Sequence, residues 1–75
     1  MTDRMLDVAS EVAGTVLEIS AAPGAVLAEG DQIMVLESMK MEIPVLAETA
    51  GRLAEVLAAE GDPVAEGQVL ARIAA

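Results

Sequence analysis

One side chain in this sequence is a primary amine. It is Lys40, set between two methionines in Glu37-Ser38-Met39-Lys40-Met41-Glu42, and the other cationic side chains are Arg4, Arg52 and Arg72. An amine confined to one of 75 positions gives acyl transfer a single place to form an amide. A free lysine amine has a pKa of about 10.4, so little of it is the neutral nucleophile at neutral pH. An enzyme that acylates it must take the side chain into its own active site and deprotonate it there. The lysine therefore has to stand on a rigid, protruding element such as the tip of a hairpin. Glu37 and Glu42 flank it. With no histidine in the chain and no cleft signal nearby, they read as solvated strand residues rather than an acid–base pair.

The residue types that are missing exclude most other chemistry. Without cysteine or histidine there is no disulfide, no thiolate zinc site and no imidazole catalysis, and no transition-metal site is expected. A nucleophile–base pair cannot be assembled, so an enzyme in its own right is not expected and no catalytic residue is assigned. None of the glycines forms a phosphate-binding pattern. Thirteen carboxylates against four basic groups give a net charge of -9, which repels nucleic-acid backbones and anionic membranes. No apolar run approaches the roughly 18 residues of a membrane span. The N-terminus does not read as a signal peptide, and the Met1 start fits a natural stand-alone chain. Absence of cysteine fits a reducing compartment, and the expected location is cytoplasmic.

The elements that must present Lys40 follow from punctuation and repetition. Seventy-five residues make a single domain, 1–75, with a core over about 5–74. Without aromatic residues that core must be aliphatic. Glycines at 14, 24, 30, 51, 61 and 67 and prolines at 23, 44 and 63 cut the chain into short segments, which suit strands better than helices. Thr15–Ile19 and Ile33–Glu37 read as strands. Met41, Ile43 and Val45 alternate with Glu42 and Pro44, the period of a half-buried strand. A shift of 37 residues lays Ala13-Gly14 on Ala50-Gly51, Gly24 on Gly61 and Ala28-Glu29-Gly30 on Ala65-Glu66-Gly67, and over 13–36 nine of 24 pairs are identical. The matched glycines indicate matched turns, hence internal pseudo-two-fold symmetry with Lys40 in the segment that joins the halves. Arg52–Glu60 has helical composition, but its repeat partner Thr15–Pro23 does not, and the repeat predicts a strand there.

Glu37 to Val45 resembles the attachment motif of biotinyl carrier domains, whose core is Met-Lys-Met with the lysine biotinylated. The likeness extends over Val12 to Ile73, through Ala13-Gly14, Gly24, Gly30, Gly51, Gly61-Asp62-Pro63-Val64 and Gly67, so the chain is similar to a whole biotinyl/lipoyl attachment domain. Its length most resembles the short stand-alone biotin carboxyl carrier proteins. The resemblance implies an all-β fold: a flattened β-barrel or sandwich of two four-stranded antiparallel sheets with pseudo-two-fold symmetry, the lysine on an exposed hairpin turn and the termini at the far end. It implies covalent biotin on Lys40. It also implies that Met39 and Met41 are flanking residues recognised by a biotin protein ligase, and it extends that role to Glu37. Ser38 stands where the family usually has Ala.

In that family a biotin carboxylase uses ATP and bicarbonate to carboxylate the tethered cofactor. A carboxyltransferase then passes the carboxyl group to an acceptor such as an acyl-CoA, acetyl-CoA among them. The carrier is a non-catalytic swinging arm that raises effective concentration at both sites. The implied partners are those three enzymes, and the chain is expected to be a monomer in isolation. Two other readings stand beside this one. Lipoyl carriers share the fold but typically have Asp before the lysine and Ala after it, where this chain has Met on both sides. An unmodified β-barrel interaction module has no need of the Met-Lys-Met triplet. Met39 and Met41 could instead be core residues on one strand face; at a hairpin turn at least one of them is exposed.

Overall fold

A computed structural model describes residues 4–75. Eight strands follow in order: β1 (Met5–Ala9), β2 (Gly14–Ile19), β3 (Val26–Leu27), β4 (Gln32–Ser38), β5 (Met41–Leu46), β6 (Gly51–Val56), β7 (Pro63–Val64) and β8 (Val69–Ala74). They form two four-stranded sheets, ordered β1-β8-β6-β3 and β5-β4-β2-β7, and every pairing is antiparallel. Among the described residues there is no helix. The helix-prone stretch Arg52–Glu60 becomes β6 and the turn after it. Leu53 is fully buried and pairs with Ile73, and this tertiary pairing outweighs local propensity.

The 37-residue repeat is written into the register. Leu36↔Ile43 in one sheet corresponds to Leu6↔Ile73 in the other, and Thr15↔Glu37 to Arg52↔Ala74. The irregularities coincide as well. The ladder slips between Gln32 and Met34 on β4, and at the matching place beside Val8 and Ala9 it jumps from Ala71 to Val69 on β8. A bulge of this kind lets two successive residues face the core. Ile33-Met34 and Leu70-Ala71 are accordingly both fully buried pairs.

The core obeys the same symmetry. Val16, Leu27, Ile33, Met34 and Leu36 are buried, and so are Leu53, Val64, Leu70, Ala71 and Ile73, their partners 37 residues on. Volumes are traded between halves: Val against Leu at 16 and 53, Met against Ala at 34 and 71. The four outer strands are β1, β3, β5 and β7, and Pro44 and Pro63 both lie on them, where a missing N–H costs no ladder bond and discourages further pairing. On β8, Arg72 donates to Glu55 on β6 (2.8 Å) and Asp7 on β1 (3.0 Å), one on each neighbouring strand. The bond to Glu55 and then that to Asp7 hold the guanidinium above its ordinary pKa. Exposed pairs of this kind contribute little to stability.

A core of aliphatic groups in so short a chain has little surplus. Leu53→Ala is expected to lower unfolding stability by about 2–5 kcal/mol. With no Trp or Tyr to report, the measurement is urea unfolding followed by far-UV circular dichroism. A loss below about 1 kcal/mol would mean that the sheets close over the gap and that the core is not tightly packed.

Candidate functional site

β4 and β5 are joined by two residues only, Met39 and Lys40, between the closing pair Ser38↔Met41. Both have positive φ, 53° and 65°. Positive φ at both central positions is the type I′ geometry, whose twist matches that of the flanking strands. Such turns usually take Asn-Gly. An ordinary side chain in the left-handed region costs roughly 1–3 kcal/mol, and here two stand in succession. They are the two positive-φ positions outside glycine among the described residues.

The turn is braced from beneath. The hydroxyl of Ser38 donates to the carbonyl of Ala13 at 2.9 Å. Next to it, Gly14 passes so close to β4 that a Cβ there would run into the backbone carbonyl of Glu37. Glycine is needed at this position for closeness rather than for its dihedral angles. The loop leading in is shaped by the buried Ser10, whose hydroxyl donates to the carbonyl of Val12 at 2.6 Å. The small residues Ala13 and Gly14 and the hydroxyl of Ser38 thus clamp the end of β4 against the start of β2.

The structure brings the sequence-designated residues together. Lys40 is exposed at the tip. Met39 is 90% exposed and Met41 60%, so neither belongs to the core. Glu37 lies on β4, directly opposite Glu42 on β5, and both are exposed. Like charges in that arrangement oppose pairing, and Lys40 is the nearest cation in sequence. Among the described residues the ion pairs are the two made by Arg72, and neither involves Lys40. The sequence pattern alone does not show the clamp by Ser38 and Ala13. The small hydroxyl at Ser38 was its only signal.

The other half of the molecule has an open end where this turn is closed. Shifted by 37 residues, Ser38 and Met41 become Ala75 and Arg4. These exchange backbone hydrogen bonds of 2.8 and 2.9 Å, but no turn connects them. Gly14↔Val64 pairs beside the lysine turn, and its equivalent Gly51↔Leu27 pairs beside the chain ends. The two ends of the molecule are thereby distinguished, with Lys40 at one and the Arg4–Ala75 pair at the other. Elsewhere a cleft of about 190 Å³ opens between the outer edges of β1 and β5, lined by Val8, Leu36, Ile43 and Val45 with the exposed Glu11 and Glu48. It holds no nucleophile.

A family model described as "Biotin-requiring enzyme" matches residues 4–73. The "Biotinylated protein TB7.3 homolog" of Mycolicibacterium smegmatis is 54% identical over 41 residues, 55% of this chain and 58% of that protein. "Biotinylated protein TB7.3" of Mycobacterium tuberculosis is 51% identical over the same span. The chain thus matches 58% of the length of these curated relatives. Among solved structures, Kluyveromyces lactis urea carboxylase contains a segment that superposes with a TM-score of 0.90 at 32% identity, covering 97% of this chain and 6% of that one. A single-chain, multi-domain long-chain acyl-CoA carboxylase gives 0.88 at 36% identity, over 93% of this chain and 7% of that one. The lipoyl domain of the 2-oxoglutarate dehydrogenase complex of Azotobacter vinelandii gives 0.71 at 31% identity, over 97% and 95%.

Backbone strain at the turn has a measurable consequence. The double variant Met39→Asn/Lys40→Gly, which places tolerant residues at both left-handed positions, is expected to gain about 1–2 kcal/mol of unfolding stability. Denaturant midpoints compared with the parent chain decide it, and an unchanged or lowered midpoint would refute the strained type I′ turn.

Proposed function

The chain belongs to the biotin-requiring enzyme family of biotin/lipoyl attachment domains, and we propose from that premise that it is a biotin carboxyl carrier with biotin amide-linked to Lys40. The observation that carries the reading is the turn. The sole lysine stands exposed at the tip of a two-residue hairpin, between two exposed methionines. The residues fit the group. An amide needs one accessible amine and room around it, and the tip offers both.

Biotin, once bound, supplies a ureido nitrogen that accepts and gives up a carboxyl group. The chain's own residues do the rest. Lys40 presents an exposed side chain at the hairpin tip, so that a biotin protein ligase can receive and deprotonate it. Met39 and Met41 offer a soft, polarizable apolar surface for that ligase, and Glu37 offers a carboxylate two residues before Met39. Ser38, Ala13 and Gly14 keep the tip at a fixed distance from the core, so the ordering cost of docking is met in advance. Tethering at Lys40 then holds the cofactor at high effective concentration for two successive active sites.

Those sites belong to a biotin carboxylase and a carboxyltransferase of a multicomponent carboxylase in the cytoplasm. The acceptor we favour is an acyl-CoA, acetyl-CoA included. Support for that choice is the similarity to a segment of an acyl-CoA carboxylase at 36% identity, and the carrier is read as a non-catalytic, monomeric component.

Intact mass after incubation with a biotin protein ligase, ATP and biotin tests the reading. The parent chain should gain one biotinyl group. Lys40→Arg should gain none while keeping its strand signal in circular dichroism. Addition to Lys40→Arg would remove Lys40 from its role. No addition to the parent chain, with one lipoyl group gained from a lipoate ligase, would make it a lipoyl carrier instead.

A further inference from the structure

We propose that Met39, seconded by Met41, is an oxidation site that gates acylation of Lys40, an inference that rests on the carrier reading above. The chain contains no Cys, His, Trp or Tyr. Its five methionines are therefore the only side chains that ordinary hydroperoxides oxidise readily. Exposure separates those among the described residues sharply. Met39 is 90% exposed, Met41 60% and Met5 56%, whereas Met34 is fully enclosed in the core. Among the described residues, two of the three exposed methionines thus adjoin the single lysine amine. Met5 lies on β1 at the end of the molecule where Arg4 and Ala75 pair.

The chemistry closes without any further reactant. A hydroperoxide places one oxygen on the thioether sulfur: an S–O bond forms and the O–O bond breaks. The sulfur is oxidised by two electrons. With hydrogen peroxide, the departing hydroxide takes up the proton of the transferred oxygen and leaves as water. The product is a polar, chiral sulfoxide, which methionine sulfoxide reductases return to the thioether with a thiol as reductant. At the turn this exchanges an apolar contact for a strongly polar group that a docking enzyme must desolvate.

Fold and site respond separately. Met39 lies outside every strand and Met41 projects from the first position of β5, so neither sulfoxide disturbs the core. Among the described residues the one methionine whose oxidation would damage packing is Met34, which has no exposed surface. Oxidation therefore changes the surface read by the ligase and leaves the scaffold standing.

The experiment treats the unacylated protein with hydrogen peroxide, maps each sulfoxide by peptide mass, and measures the initial rate of biotinylation. Oxygen should add to Met39 ahead of Met41 and Met5, with Met34 untouched. The biotinylation rate should fall by at least about tenfold with an unchanged far-UV spectrum, and sulfoxide reductases with a thiol should restore it. Unaltered biotinylation of protein oxidised at Met39 would overturn the gate. So would Met34 reacting as fast as Met39, or a loss of strand signal alongside the loss of rate; none of these touches the carrier reading. Failure of the untreated protein to be biotinylated would instead remove the carrier reading, and the gate with it.

Discussion

The position of the lysine depends on the register of β4. This strand is paired on both sides, with β2 and with β5, and it carries Ile33, Met34 and Leu36 into the core. A slip of one residue would turn Leu36 and one of Ile33 and Met34 outward and bring in Val35 with either Gln32 or Glu37. That would unseat two large buried side chains and bury a polar one, in a chain with little core to spare. Burial therefore fixes β4, β4 fixes Ser38, and Lys40 follows two residues later. The hydroxyl of Ser38 on the carbonyl of Ala13 and the bare backbone of Gly14 only finish what the core has already decided.

The pseudo-two-fold symmetry explains why the turn is strained. In each half a long strand must meet a neighbour that runs back beside it. In one half the neighbour is β1, which pairs with β8 without any link between Arg4 and Ala75, so nothing has to be bent. In the other it is β5, and two residues have to close the gap. Antiparallel strands with a right-handed twist accept a two-residue link most easily when both residues take positive φ. The strain at Met39 and Lys40 thus comes from joining the repeats by the shortest path. It places the amine on a stiff backbone rather than a slack loop.

Much of this was legible in the sequence, for identifiable reasons. Glycines recurring at a spacing of 37 mark backbone geometry directly, so the repeat and its matched turns could be read, whereas the number of strands was implied by the family resemblance. Alternation at Met41, Ile43 and Val45 placed β5. A single lysine at the repeat junction needed no structure to be singled out. The dihedral angles of the turn were not legible, because Met-Lys carries none of the Asn or Gly signals of a type I′ link; the chemistry at that position overrides turn preference. β3 and β7, two residues each, are too short for any period to show. The strand from Gly51 to Val56 contradicts its own composition, and only comparison with the other half revealed it. The clamp by Ala13 joins residues 25 apart in sequence, a distance over which local pattern carries no information.

The pairing of Arg4 with Ala75 at the end away from the lysine has a consequence for how such a unit can be built into larger assemblies. Arg4 and Ala75 lie side by side at the pole turned away from the lysine tip. Polypeptide continuing from that pole leaves the approach to the amine unobstructed. The fold therefore behaves as a plug with its socket at one pole and its contact at the other, portable between chains of very different length without redesign.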